Sequence, residues 1–79
     1  MNSAVRTVRA ALWMEAERLG AVGIEDARTS DHQAVQFRIG GTPVRFTYSS
    51  TLRAVNREYV LNCKCSLRHA VNRALKRAA

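Results

Sequence analysis

The chain has 79 residues, 47% of them apolar and 24% charged, which are the proportions of a folded globular chain. That length holds one domain around a thin core and excludes (β/α)₈ barrels and dinucleotide-binding sheets. The formal charge is +7 and uneven: four arginines meet five acids up to residue 31, and nine basic residues meet Glu58 alone after it.

No run approaches the roughly 18 apolar residues of a membrane span. Arg6 and Arg9 interrupt the first apolar stretch, and Glu15 and Glu17 close it, so it does not read as a secretory signal. A cytoplasmic location is expected.

Residues 3–19 read as an amphipathic helix with Val5, Val8, Leu12, Ala16 and Leu19 on one stripe. Asn2 or Ser3 can cap its start, and Gly20 can end it in the left-handed conformation. Residues 22–28 read as a short strand, followed by a turn at Thr29-Ser30-Asp31. Residues 33–49 read as a hairpin: Val35, Phe37 and Ile39 alternate with polar residues, as do Val44, Phe46 and Tyr48. A tight turn at Gly41-Thr42, glycine first, would set Ile39 against Val44, Phe37 against Phe46 and Val35 against Tyr48. It would also set Arg38 directly against Arg45, a like-charge pair most natural around an anion. Pro43 marks its strand as an edge or a strand start, and such an edge would let two copies pair as a homodimer.

Ser49-Ser50-Thr51 offers a turn or a helix cap. The pattern over 52–63 is irregular and leaves room for a short extra helix near 52–62. From 66 onward Leu67, Ala70, Val71, Ala74 and Ala78 share one helical face, and Arg68, His69, Asn72, Arg73, Lys76 and Arg77 the other. The tetrapeptide Ala54-Val55-Asn56-Arg57 recurs as Ala70-Val71-Asn72-Arg73, which is too short to define a repeat architecture. Together these elements predict an α+β fold: a single αβββα domain over 1–79, its three-stranded antiparallel sheet packed on the N- and C-terminal helices.

Few residues suit chemistry. A ribonuclease needs a base and a group that stabilises phosphorane charge. His32 is the one weak catalytic candidate, with Asp31 beside it and Arg38 or Arg45 on the same polar face. His69 sits on the basic helix face. Cys63 and Cys65 lie too close in sequence for an ordinary structural zinc pair, so no metal and no other cofactor is implied. As free thiols on a helix they point about 200° apart, Cys63 toward the apolar side and Cys65 toward the basic face. Trp13, flanked by Arg6 and Arg9, either stacks on a base or widens the core.

The order αβββα is that of the double-stranded-RNA-binding domain. Leu19-Gly20, the strand 22–28, Ser30-Asp31-His32 and the hairpin 33–49 resemble the HicA family of small mRNA-interferase toxins. Thr29-Ser30-Asp31 stands where that family has a glycine before its Ser-His step, and Tyr48-Ser49-Ser50 stands where it tends toward Pro-x-His. The stretch from Ser50 and Arg53 through Leu67-Arg68 to Leu75 resembles small basic phage proteins of high-GC bacteria. The resemblance implies a phage or mobile-element origin.

The charge pattern predicts a nucleic-acid-binding protein, for RNA or DNA, that holds the phosphate backbone without catalysis. Its expected contacts are Arg38, Arg45, Arg53, Arg57, Arg68, Arg73, Lys76 and Arg77. An anti-CRISPR-like inhibitor docking on an acidic or nucleic-acid-binding surface of a host defence complex is the rival, and a HicA-like interferase the third reading.

Overall fold

The computed structural model describes residues 2–28 and 32–78, so the turn expected at Thr29-Ser30-Asp31 lies outside the described residues. The apolar stripe of the first segment forms helix α1, Ser3–Arg18. The Asn2 side chain accepts a hydrogen bond from the Val5 backbone N–H at 2.9 Å. At the other end Gly20, with φ 90°, turns the chain away.

Three strands follow in the antiparallel order β1 (Val22–Arg28), β2 (His32–Ile39) and β3 (Thr42–Ser49), so β1 and β3 are both edges. Pro43 therefore lies on an edge strand, at its second residue. The hairpin turn sits one residue earlier than the spacing predicted. Gly40 and Gly41 occupy it with φ 56° and 82°, and a two-residue hairpin turn of this hand needs both central residues at positive φ. Thr42, which is β-branched, suits that place poorly. The register moves accordingly: Phe37 pairs with Val44, Val35 with Phe46 and Gln33 with Tyr48. The expected Arg38–Arg45 opposition is overturned. Arg38 faces Pro43 and Arg45 faces Gln36, which leaves the two arginines diagonal on one sheet face.

Between β1 and β2 the pairing slips once. Val22 partners Arg38 and Glu25 partners Gln36, so Gly23 and Ile24 together oppose Phe37. Gly23 has φ 63°, as expected of a β-bulge that begins with a left-handed glycine. The extra residue turns Ile24 toward the core and leaves Val22 62% exposed on the outer face.

Residues 52–56 form no helix, and helix α2 runs unbroken over Arg57–Ala78. The segment 57–62 is its first turns and not a separate helix. Asn56 is the cap, accepting from the Tyr59 N–H at 2.8 Å. Ser49 instead closes a local turn, its Oγ accepting from the Thr51 N–H. The repeated Ala-Val-Asn-Arg tetrapeptide thus lies once at a helix entrance and once inside a helix.

Val5, Val8, Leu12 and Ala16 of α1 and Leu67 and Val71 of α2 share one cluster with Val35, Phe37, Val44 and Tyr48. Those strand residues alternate onto one side, so both helices cover the same sheet face. Leu12 and Leu67 are fully buried and each contributes about 2–3 kcal/mol of hydrophobic stabilisation. The other sheet face carries Glu25, Arg38, Pro43, Arg45 and Thr47, all exposed. Among the described residues, no helix is long and apolar enough to cross a membrane.

Candidate nucleic-acid interface

The rotation of α2 decides what its basic residues can reach. One side is fixed by α1: the Arg68 Nε lies 3.5 Å from Glu15 Oε2. The other side is fixed by β3, where Tyr59, Asn62, Cys63 and Ser66 share a cleft with Phe46 and Ser49. At about 100° per residue, Arg73 and Arg77 fall on the β3 side with Tyr59, Asn62 and Ser66. Lys76 and His69 point away from the body, and Arg57 falls on the α1 side.

Glu15 is buried, at 5% exposed. It pairs with Arg18 within α1 and with Arg68 across the helix interface. The hydrogen bond from Arg18 holds its carboxyl below the ordinary range, and the charges of Arg18, Arg68 and Lys64 add to that against the opposing effect of burial. On the far edge Arg9 donates Nε and Nη2 to the two oxygens of Asp26, each at 2.8 Å. This holds the Asp26 carboxyl low, and the same guanidinium sits 4.5 Å from the Trp13 ring centroid. Trp13 is thus engaged: it packs against the core on one side and carries Arg9 on the other.

The eight expected contact residues divide. Arg68 is tied to Glu15 and also donates to the Cys65 sulfur at 3.1 Å, so it stands apart from the free basic groups. Arg53 lies beside the start of α1 with Asn2, Ser3 and Thr7. Among the described residues, Arg38, Arg45, Arg53, Arg57, Arg73, Lys76 and Arg77 make no ion pair. Arg45 is exposed on the β3 edge, on the sheet face away from the helices, with Arg38 diagonal to it, and the helix phase puts Arg73 and Arg77 on the side of α2 toward β3. A cavity of about 510 Å³ opens on the outer sheet face between Arg38, Arg45, Val22 and Glu25. Glu25 there accepts a hydrogen bond from Gln36.

His32 begins β2 opposite Ser49 and is exposed. It shares the outer face with Arg38 but lies six residues away, about 20 Å along an extended strand. Arg45, across from Gln36, is about 13 Å along. One phosphate cannot touch His32 and Arg38 together, so the arrangement expected of a His32-centred ribonuclease is not assembled with that partner. Cys63 is half-buried with its thiol pushed up by burial, and Cys65 is exposed.

Sequence reasoning missed Glu15 as a buried anchor, and it missed the Tyr59–Asn62–Ser66 wall. The signal for the wall was present: 59, 62, 66, 73 and 77 step by three, four, seven and four, so they line one helix side. Comparison with protein-family models, with curated proteins and with solved structures finds no match.

Proposed function

We propose that the protein is a small, non-catalytic nucleic-acid-binding module that grips phosphates along the flank formed by β3 and α2. The observation that carries this is that Arg45, on the β3 edge, and Arg73 and Arg77, on the side of α2 toward β3, have no carboxylate partner among the described residues. Fixed carboxylates would have neutralised them, as Glu15 does Arg68. Left bare, they offer mobile cations to a polyanion, and binding releases its condensed counterions. Arg38 and Lys76 widen the patch on either side. Arg53 and Arg57 lie apart from it, beside the start of α1 and on the α1 side of α2. Contacts of this kind position a backbone and carry no sequence code.

The test is a titration of random-sequence single-stranded and duplex oligonucleotides across a salt series. For duplex DNA, log K is expected to fall with log salt at about 0.9 per phosphate contact. The variant Arg45→Ala/Arg73→Ala/Arg77→Ala is expected to lower that slope by about 2–3 and to melt like the native protein, because all three side chains are exposed. An unchanged slope would move the interface elsewhere. Failure to bind any nucleic acid at low salt would end this reading and turn the flank toward an acidic protein surface.

A further inference from the structure

We infer that the cleft between β3 and the first half of α2 holds an unpaired nucleobase, so that the ligand of the basic flank is single-stranded and not duplex. This rests on the proposed function and narrows its substrate class.

The cleft measures about 420 Å³, within the range of small-ligand sites, about 300–1,000 Å³. Its walls combine two kinds of group. Phe46 and Tyr59 supply aromatic surface, and Tyr59 is 36% exposed. Asn62 and Ser66 of α2 supply polar groups, both exposed and neither with a side-chain hydrogen bond to another described residue. An aromatic ring beside an unpaired amide and a hydroxyl suits a flat heteroaromatic ring edged with donors and acceptors.

The cleft also opens onto the proposed phosphate track. Ser66 and Arg73 are two helical turns apart on the same side of α2, about 10 Å. One strand can therefore place a base against Tyr59 and lead its phosphates past Arg73, Arg77 and Arg45. A charged groove with an aromatic platform is how unpaired strands are held without sequence readout. In a duplex the bases are stacked and paired, and the cleft would stay empty. Nothing in the charge distribution alone makes that distinction; the aromatic wall does.

Fluorescence anisotropy with one labelled 12-nucleotide strand, alone and annealed to its complement, tests this. The single strand is expected to bind about tenfold tighter at low salt. Tyr59→Ala is expected to weaken the single strand by about tenfold, with duplex affinity and both salt slopes unchanged. Tyr59→Phe keeps the ring and is expected to bind as the native protein does. Trp13, the single tryptophan, reports from the β1 side that each variant is folded. Equal affinity for the two probes, or indifference to Tyr59→Ala, overturns the inference. If the triple arginine variant still weakens both probes in that case, phosphate binding stands without the cleft. If the native protein binds neither probe, both fall.

Discussion

The two edges of the sheet put the same side chain to opposite uses. Along β1, Arg9 is clamped by both oxygens of Asp26 and lies over Trp13, and the strand breaks register at Gly23. Along β3 the pairing runs unbroken from Thr42 to Ser49, and Arg45, Arg73 and Arg77 meet no carboxylate among the described residues. The cause is linear. Five of the six acids precede residue 32, so the half of the chain that builds α1 and β1 can pair arginines, Arg9 and Arg18, with its own carboxylates. The half that builds the β3 flank cannot. Arginine with a fixed carboxylate is structure; arginine without one is a surface looking for charge.

The sharpest way to separate these uses is to remove a carboxylate from the paired side. Glu15→Gln keeps the shape and takes away the charge that Arg18 and Arg68 share. We expect a loss of about 2 kcal/mol, seen as a drop of roughly 10 °C in the thermal midpoint for a domain this small. Nucleic-acid affinity at temperatures where the variant is folded should not fall. Acid should act in the same direction. Glu15 and Asp26 both titrate below their ordinary values when folded. Their contribution is therefore complete above about pH 5 and is lost as pH falls through the lowered folded values. A melting midpoint that is flat down to pH 3 would show that neither pair stabilises the fold.

What the sequence made legible follows the same division between local and distant causes. α1, its Asn2 cap and its Gly20 exit were readable because each rests on neighbours in the chain. The strand at 22–28 was readable as an extended stretch, although the bulge sends Val22 and Ile24 to opposite faces, and the apolar faces of both hairpin strands were readable from alternation. The hairpin register was not, because moving the turn from Gly41-Thr42 to Gly40-Gly41 shifts the partner by two residues and buries the same apolar side chains. Only the demand for two positive φ angles decides it. The start of α2 was hidden because Leu61 leaves the core stripe and stays half exposed, and Asn56 was the cue. The Glu15–Arg18 pair was open to reading from its i, i+3 spacing, but the pair with Arg68 had no local sign, since Arg68 lies far along the chain. The bulge is intermediate, as Gly23 was visible but not its consequence. Gly23→Ala is expected to cost about 1 kcal/mol through its left-handed conformation alone, since an added Cβ there meets no atom within 4 Å. A neutral result in chemical denaturation would mean that β1 can give up the bulge and that its edge is as regular as that of β3.

One side chain joins the two edges, and it gives the smallest of these effects. Tyr48 springs from β3, on the face the helices cover, and its hydroxyl is buried with no hydrogen-bond partner among the described residues. Burial raises its pKa, and the charges of Asp26 and Arg9 act on it in opposite senses from the β1 side. The hydroxyl thus lies within the field of the paired edge without bonding to it. Removing an unsatisfied buried hydroxyl relieves a desolvation cost and loses no bond. Tyr48→Phe should therefore be neutral or stabilising by up to about 1 kcal/mol in a denaturant titration, with binding on the β3 flank unaltered. A clear loss would mean that the hydroxyl does bond in solution. The Arg9–Asp26 pair would then reach across the core, and the two edges would not be energetically independent.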